Sequence, residues 1–411
     1  CNTMFDHDII IIGSGVSGLS CAKILNDNNK KFVLYESQPE VGGRMSTDFV
    51  GEHKLDRGFQ VFIKGYPLYD DVSDVDQLSL HSFLPGALIR LNNRFYKVVD
   101  PFRNIIEGFK SVFTPIGSLL DKLKILKLRI SLLLKPSGNL TNNISTYNYL
   151  KNNGFSEEMI NNFFVPFFGS VLLDKDLSTV KSTFETVYKA MSSDNICLPE
   201  NGIVDFPKSI YNQLPKDQFC FSTEVTAIDN HVVTFADGTS TSSKSIVIAT
   251  DATTASNLTQ SFKAPLYCGT TCLYFVTSRQ LIKEPMIITN AGEGFINTIC
   301  CLTNVNHSYS SQNLISVNVN KIIPDITHDE IVDSIKLELQ SWFPEVDFDF
   351  IKLYEIPNAL PKHTPSEFNR MRNIPQGENG VYFCGDYLYG ASVNDAIKSG
   401  LETAEIILSL D

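Results

Sequence analysis

The sequence has little charge and lacks the patterns that mark several common classes of protein. Of its 411 residues, 19% are charged and 43% are hydrophobic, whereas roughly 25% charged is usual for a globular domain. No apolar run approaches the roughly 18 residues of a membrane span, and no basic segment followed by an apolar one opens the chain, so we expect no signal peptide. The net charge of −12 argues against a nucleic-acid-binding protein.

Cysteine motifs and hydrolase motifs are also missing. The nine cysteines form no Cys-x-x-Cys pair, and an odd number scattered through apolar segments is typical of reduced thiols in a cytoplasmic protein. Cys268 and Cys272 have a spacing found at zinc sites, but no second pair of ligands follows, so we predict no metal site. No Ser/His/Asp nucleophile motif is visible.

A glycine-rich motif near the N-terminus is the first strong indication of a binding site. A continuous apolar run at 8–12 predicts a buried strand of a parallel sheet, and a turn containing Gly13, Gly15 and Gly18 follows it. Gly13 permits a tight turn, Gly15 lets a pyrophosphate approach a helix N-terminus, and Gly18 lets that helix pack on the strand. A second predicted strand ends at Glu36, which can accept hydrogen bonds from a ribose. This order predicts a dinucleotide site.

Gly42, Gly43 and Arg44 come shortly after the second strand. Two glycines and an arginine at this point can bring backbone and a guanidinium against a second phosphate or the edge of a flavin. Taken alone, the same residues also suit an ordinary loop turn with a solvated charge. The glycine motif does not distinguish NAD from FAD, and this second segment favours FAD.

Five segments resemble the flavin-dependent amine oxidase superfamily, which includes monoamine and polyamine oxidases, protoporphyrinogen oxidases and phytoene-desaturase-like enzymes. They read GSGVSGLSCAKIL, VLYESQPEVGGRM, LDRGFQVF, SIVIATDA and CGDYLYGASVNDAIKSG, and they are spread over nearly the whole chain. LDRGFQVF with FFVPFFGSVLLDKDLST is similar to the protoporphyrinogen-oxidase-like branch. The resemblance implies an FAD cofactor, and because no cysteine suits covalent attachment we predict that it is bound non-covalently.

The C-terminal segment predicts another strand, turn and helix. A short apolar strand ends at Gly385 and Asp386, and Ser392 can cap the helix that follows. In flavoproteins of this resemblance the aspartate binds the ribityl and phosphate region. The helix start, with Ser392, Val393 and Asn394, then faces the N1–C2=O side of the flavin, where helix N–H groups stabilise negative charge.

The fold predicted from these segments is α/β. A Rossmann-type FAD-binding domain is assembled from three discontinuous segments, 4–75, 200–255 and 375–411, and the resemblance places the backbone at Val225 near the adenine. An α+β substrate domain is built from 76–199, predicted mostly helical, and 256–374, predicted mostly stranded.

Two segments of the predicted substrate domain have more than one interpretation. The aromatic segment 163–168 suits a hydrophobic core, and it also suits the wall of a cavity for a bulky apolar substrate. The basic amphipathic segment 119–135 suits a helix with a solvated face. The alternative interpretation of this segment is a weak contact with a membrane surface, and the protein would then be cytoplasmic but peripheral to a membrane.

The candidate residues at the flavin face are Phe59, Gln60, Tyr387 and Tyr389. The two tyrosines resemble the aromatic cage of amine oxidases, which orients a neutral amine; alternatively they pack or hydrogen-bond away from the substrate. Many amine oxidases carry a lysine in a substrate-domain strand, but the comparable stretch here, 266–276, has none, which favours a desaturase-like reaction.

The function predicted from the sequence is that of an FAD-dependent oxidoreductase. It transfers a hydride from a carbon of an apolar or amine-bearing small molecule to flavin N5, and oxygen, a quinone or another acceptor reoxidises the flavin. The alternative is a flavin-dependent isomerase without net redox chemistry, or a redox-silent flavoprotein.

Overall fold

The computed structural model describes residues 5–99, 114–134 and 144–410. Its strands, in chain order, are β1 (His7–Ile12), β2 (Val33–Tyr35), β3 (Thr47–Val50), β4 (His53–Asp56), β5 (Phe62–Ile63), β6 (Leu80–Ser82), β7 (Gly86–Leu91), β8 (Arg94–Val99), β9 (Ile196–Pro199), β10 (Phe219–Cys220), β11 (Val225–Asp229), β12 (Val232–Phe235), β13 (Ser240–Ile248), β14 (Tyr267–Thr277), β15 (Ile287–Asn290), β16 (Thr298–Cys301), β17 (Asn313–Val319), β18 (Phe348–Pro361) and β19 (Val381–Phe383).

The helices of the described residues are distributed along the whole chain. They are α1 (Val16–Asp27), α2 (Leu119–Leu134), α3 (Thr146–Asn152), α4 (Glu157–Met159), α5 (Val165–Val171), α6 (Lys181–Ser193), α7 (Asp205–Tyr211), α8 (Ala252–Thr259), α9 (Leu302–Val305), α10 (His328–Trp342), α11 (Pro365–Arg372) and α12 (Val393–Leu408). A π-helical turn, Ile160–Phe164, joins α4 to α5. Among these helices none has the length and hydrophobicity needed to cross a membrane.

The first large sheet is parallel at its centre. Strands β10, β2, β1, β13 and β19 lie side by side and parallel, and β12 and β11 continue antiparallel from the start of β13. Alternate residues of β1 are buried in two hydrophobic clusters, one on each face of the sheet: Ile9 and Ile11 in the first, Ile10 and Ile12 in the second. Burial on both faces explains the continuous apolar run of this strand. The parallel strands come from the beginning, middle and end of the chain, and the predicted domain boundaries stay a prediction.

The two ends of the chain meet where α12 packs on α1. A Cβ placed on Gly400 of α12 would lie 2.5 Å from the Ser17 carbonyl oxygen of α1. A Cβ on Gly18 of α1 would lie 2.1 Å from the Gly13 carbonyl oxygen. Both glycines therefore allow a backbone approach that a side chain would prevent, and they hold α1 between the first strand and the last helix.

The second large sheet is mostly antiparallel. Its order is β18-β14-β17-β16-β15-β7-β8, and the β15–β7 pair is parallel. Helix α10 covers one face with Ile331, Ile335 and Leu339, all fully buried against residues such as Phe275. Two small sheets, β3-β4 and β5-β9-β6, complete the strands of the described residues.

The prediction that 76–199 is mostly helical is wrong in its first part. Strands β6, β7 and β8 occupy much of the stretch up to Val99, and β9 closes the segment. Strands β7 and β8 form a hairpin whose turn residues, Asn92 and Asn93, have φ of 52° and 58°. Asparagine tolerates this left-handed conformation, which two-residue hairpins require. The Asn-Asn pair could therefore have indicated a hairpin turn from the sequence. Pairing of β7 with β15 makes the hairpin part of the second sheet.

The aromatic segment 163–168 divides between two environments. Phe164 and Phe168 are buried in a cluster with Phe184. Phe163 and Phe167 are half-buried, and their rings stack with centroids 6.0 Å apart. The first pair is core, as one interpretation expected, and the second pair retains exposed aromatic surface.

Candidate cofactor-binding site

Two glycine turns touch at the carboxyl end of β1. The Gly42 N–H donates to the Ser14 carbonyl oxygen at 3.0 Å, and a Cβ on Gly43 would lie 3.3 Å from the Gly15 Cα. Gly13, Gly42 and Gly43 have φ of +102°, +129° and +57°, a region that side chains rarely adopt. The structure thus brings the two predicted glycine motifs together and explains these glycines by backbone geometry.

Gly15 differs from the glycines around it because it is not crowded. Its φ is −68°, and among the described residues no atom outside its own helix turn and chain neighbours would lie within 4 Å of a Cβ built on it. Gly15 is also the N-cap of α1, and this helix start has no side-chain cap and no acidic residue in its first turn. Free helix N–H groups beside an open space are the features of an anion site.

The Glu36 carboxylate is held in place by the glycine turn. Its Oε2 accepts from the Ser14 N–H at 2.7 Å and from the Ser14 hydroxyl at 2.8 Å, and its Oε1 accepts from the Gln38 N–H at 2.8 Å. The side chain is buried. Sequence reasoning missed Ser14, although its place between two glycines of the motif could have indicated it. Ser14 fixes the orientation of the acid at the end of β2.

Val225 begins the strand that lies next to this acid. The Thr223 N–H donates to the Glu36 carbonyl oxygen at 2.8 Å, and Val225 is buried at the first pair of β11 with β12. The middle segment of the chain is therefore joined to the end of β2 by backbone hydrogen bonds. This places the Val225 backbone near Glu36.

Arg44 connects the second glycine turn to the C-terminal segment. Its Nη2 lies 2.7 Å from Asp386 Oδ1, and its Nη1 donates to the Ala359 carbonyl oxygen at 2.9 Å. Gln60 Nε2 donates to the Arg44 carbonyl oxygen at 2.7 Å. Three predicted site residues from distant positions thus form one cluster. Asp386 is buried and the Arg44 side chain is partly exposed, so the pair can present positive charge to a ligand.

The start of α12 is capped as predicted. The Ser392 hydroxyl oxygen accepts from the Asp395 N–H at 3.1 Å and donates to Asp395 Oδ2 at 2.6 Å. Burial raises the pKa of Asp395 to about 6, while the hydrogen bonds from Ser392 oppose this shift. Asn394 Oδ1 accepts from the Leu68 N–H at 3.3 Å, so this side chain ties the helix start to a loop, and Val393 is half-buried beside it.

The LDRGFQVF segment is anchored by Asp56. Its Oδ1 accepts from the Thr47 hydroxyl at 2.6 Å and the Ile203 N–H at 2.9 Å, and its Oδ2 accepts from the Tyr309 hydroxyl at 3.3 Å. Burial raises the pKa of Asp56 to about 6, although these three hydrogen bonds lower it. Phe59, three residues on, is half-buried in the core cluster that contains Tyr274 and Tyr309.

A family model described as flavin containing amine oxidoreductase matches residues 16–408. The chain belongs to this family. A UDP-galactopyranose mutase from Mycoplasma genitalium is 26% identical over 102 residues, which are 25% of this chain and 20% of the relative. The match thus spans about a fifth of that curated protein, and the mutase's whole activity is not carried over by it.

Solved structures of two flavoenzymes share the fold over nearly the full length of the chain. A reduced UDP-galactopyranose mutase aligns with a TM-score of 0.73 and 15% identity, covering 98% of this chain and 96% of the other. A putrescine oxidase bound to putrescine aligns with a TM-score of 0.68 and 14% identity, covering 98% and 99%. At these identities the likeness establishes the amine oxidase fold and leaves the reaction open.

The residues of this family member fit a flavin nucleotide. Gly15 leaves a space that a Cβ would enter, and the uncapped start of α1 offers N–H groups to a phosphate. Glu36 lies at the end of β2 with its carboxylate oriented by Ser14, as a ribose-binding acid requires. Arg44, just after the second glycine turn, lies 2.7 Å from Asp386 of the C-terminal segment. The family and the shape of the site therefore agree on a flavin cofactor.

The two candidate tyrosines each contact other residues of the protein. Tyr387 is fully buried, its ring lies over Gly385, and it stacks on Phe262 with centroids 6.1 Å apart. The Tyr389 hydroxyl donates to Glu402, and its ring lies 5.5 Å from the Arg372 guanidinium carbon. Both rings are engaged within the protein, and their role at a flavin face stays a prediction.

His363 is a buried residue near Asp386 and Gly390. The spacing of the histidines in the sequence did not indicate a role for it. It is fully buried, and among the described residues neither ring nitrogen has a hydrogen-bond partner. Burial lowers its pKa to about 4, although Asp386, Glu367 and the backbone of Gly390 raise it. The imidazole is therefore neutral at physiological pH and lies within electrostatic range of the Asp386 carboxylate.

Proposed function

We propose that this protein is an FAD-dependent oxidoreductase that removes a hydride from a carbon of a small apolar or amine-bearing molecule. The observation that carries the proposal is the single site formed by the two glycine turns, Glu36 and the Arg44–Asp386 pair. When bound, the flavin supplies the hydride acceptor, N5 of its ring. The protein supplies position and charge.

The chain's own groups suit a dinucleotide held without a covalent bond. The N–H groups at the start of α1 bind a pyrophosphate that approaches over Gly15. Glu36 accepts hydrogen bonds from a ribose, and the backbone at Val225 borders the adenine. Cys384, the cysteine next to the C-terminal motif, is fully buried at the end of β19, which supports non-covalent binding.

Arg44, Asp386 and the start of α12 act on the other half of the cofactor. Asp386 would accept hydrogen bonds from ribityl hydroxyls, and Arg44, 2.7 Å away, balances its charge and faces the phosphate region. The N–H groups of Val393 and Asn394 would stabilise negative charge on the ring, since the Ser392 hydroxyl accepts only from the Asp395 N–H. Gly42 and Gly43 keep the backbone close enough for these groups to converge.

The substrate class rests on aromatic surface and on a missing lysine. Phe163 and Phe167 are half-buried with stacked rings, which suits contact with an apolar molecule. Strand β14 contains no lysine, which favours a desaturase-like reaction over amine oxidation. Oxygen, a quinone or another acceptor then receives the electrons.

A flavin-dependent isomerase without net redox chemistry is the second candidate. The resemblance to UDP-galactopyranose mutase in both sequence and fold supports it. Such a protein would turn over with its flavin reduced and would consume no acceptor. A redox-silent flavoprotein would neither transfer a hydride to an acceptor nor isomerise a substrate.

The first experiment is a visible spectrum of the purified protein, followed by denaturation and mass spectrometry of the released small molecule. We expect a flavin spectrum and free FAD in the supernatant. FMN, a flavin that stays on the polypeptide, or a colourless protein that takes up no FAD would contradict the cofactor assignment.

The second experiment separates the reactions. Anaerobic mixing with amines, and separately with polyene or tetrapyrrole-like compounds, should bleach the flavin for the substrate class that donates hydride. No bleaching by any amine would exclude amine oxidation. Turnover of a substrate by the pre-reduced protein without acceptor consumption would instead favour the isomerase.

A further inference from the structure

Helix α2 exposes most of its large apolar side chains. Six of the seventeen exposed large hydrophobic residues in the described part of the chain lie on it: Leu119, Leu120, Leu123, Ile130, Leu133 and Leu134. The opposite face is buried through Asp121, Leu128 and Leu132. The exposed fraction is 67% for Leu120 and 54% for Leu123, so these leucines are not core residues. A patch of this kind marks a surface that binds something.

The exposed residues form a line along the helix. Leu120, Leu123, Lys127, Ile130 and Leu134 are separated by three and four residues in turn, which at about 100° per residue places them on one side. We call these five residues the exposed stripe. Four of the five are apolar, and Lys127 lies near the middle of the helix.

The same helix is basic in an acidic protein. Within Leu119–Leu134 there are four basic residues and one acid, whereas the whole chain has a net charge of −12. The acid, Asp121, is buried and accepts hydrogen bonds from Ser118 and Ser156. Lys122 and Arg129 donate to carbonyl oxygens of the protein at 2.9 and 2.8 Å and still add positive charge beside the stripe.

A second copy of the chain is a poor occupant for this stripe. In a two-fold pairing of the same helix face, the middle of the helix meets the middle of its copy. Lys127 would then lie close to its own counterpart within an apolar contact, and like charges there are unfavourable. An anionic lipid surface accepts both features, because its acyl region receives the leucines and its phosphates attract Lys127.

We propose that α2 docks on a membrane surface that contains anionic lipid, with the apolar side chains of the exposed stripe at the boundary of the acyl chains and Lys127 among the headgroup phosphates. The helix lies along the surface and does not cross it. This association is independent of the proposed reaction, since it rests on the side chains of α2 and not on the cofactor site.

The test is co-sedimentation of the full-length protein with vesicles of phosphatidylcholine, with and without phosphatidylglycerol. We expect binding to the anionic vesicles that weakens as salt is added. Leu120→Gln and Leu123→Gln should each lower the partition coefficient by on the order of tenfold, and Lys127→Gln by about fivefold on anionic vesicles. The matched control is Leu337→Gln on α10, where the leucine is 69% exposed, and it should bind like the parent.

Three results would overturn the proposal. The first is an absence of binding to anionic vesicles by the parent protein, and the second is equal binding by the parent and by the Leu120→Gln and Leu123→Gln variants. The third is a concentration-dependent dimer in analytical ultracentrifugation that the leucine variants abolish, because the stripe would then be an interface between copies. All variants change exposed side chains, so unchanged circular dichroism and thermal unfolding should confirm that they fold.

Discussion

Arg44 Nη2 lies 2.7 Å from Asp386 Oδ1, although 342 residues separate them in the chain. The contact joins the loop after β2 to the loop after β19, two strands of the same parallel sheet on either side of β1 and β13. Because carboxyl ends of parallel strands meet at one edge of the sheet, the two loops converge there. The pair therefore connects the two halves of the candidate cofactor site.

Replacement of Asp386 by asparagine should weaken flavin binding by about tenfold, since the hydrogen bond from Arg44 then goes to a neutral amide oxygen and loses its charge assistance. Fluorescence titration of the apoprotein with FAD measures the change. Arg44→Gln should have a similar effect, and the double variant should be little worse than either single one because both act through one contact. Strictly additive effects would show that the two residues act separately.

The Gly15→Val substitution should abolish cofactor retention without unfolding the protein. Its φ of −68° suits any residue, and in the described part of the chain a Cβ there meets no atom within 4 Å beyond its own neighbours, so the new side chain extends into the space proposed for the pyrophosphate. The flavin-to-protein ratio after gel filtration and the unfolding temperature of the apoprotein measure both effects. A stoichiometric flavin content in the variant would refute the role of Gly15.

Gly18→Ala is the contrasting variant at the same turn. A Cβ there would lie 2.1 Å from the Gly13 carbonyl oxygen, so helix α1 must move away from β1. We expect a loss of about 1–3 kcal/mol in the free energy of unfolding, as for other overpacked sites. Chemical denaturation of the apoprotein measures the loss. Equal stability of Gly18→Ala and Gly15→Ala would contradict the close helix–strand packing.

Gly400→Ala should loosen the C-terminal helix and reduce flavin content together. A Cβ at this position would lie 2.5 Å from the Ser17 carbonyl oxygen of α1, and overpacking of this kind costs about 1–3 kcal/mol. Since α12 follows the Asp386 loop, its displacement also disturbs the cofactor site. Thermal unfolding and flavin content are the measurements, and Glu405→Ala, at an exposed position of the same helix, is the control that should leave both unchanged.

The Asp56→Asn substitution should remove part of the pH dependence of the free energy of unfolding. The pKa of Asp56 is raised from 3.8 to about 6, mainly by burial, so the folded state favours the protonated acid. Its stabilising contribution is complete below about pH 4 and is lost as the pH rises through 6, a change of about 3 kcal/mol. Asparagine keeps an acceptor for Thr47 and Ile203 and does not ionise.

The variant should therefore gain stability relative to the parent between pH 4 and pH 7. Urea unfolding of both proteins at a series of pH values measures the difference. A difference that does not change over this range would mean that Asp56 titrates as in the unfolded chain.

Much of the candidate site could be predicted from the sequence because the relevant signals are local. Gly13, Gly18 and Gly42 have the crowding or the positive φ that their motif indicated, and Ser392 caps α12 as its position suggested. The β7–β8 hairpin was not predicted from the sequence, because the Asn92–Asn93 turn lies in a segment that is otherwise predicted to be helical. The hairpin is held by pairing with β15, almost two hundred residues later, which no local pattern shows.

Local covalent and steric constraints, which the order of glycines, apolar runs and capping residues records, suffice to predict the α/β fold class and the positions of the glycine turns. They act over a few residues, so they survive without knowledge of the rest of the chain. The partners that those residues acquire come from packing at long range. Ser14 on Glu36, Asp386 on Arg44, the burial of Tyr387 and the outward leucines of α2 depend on which distant surfaces exclude water together, and that is settled when the sheets and helices assemble.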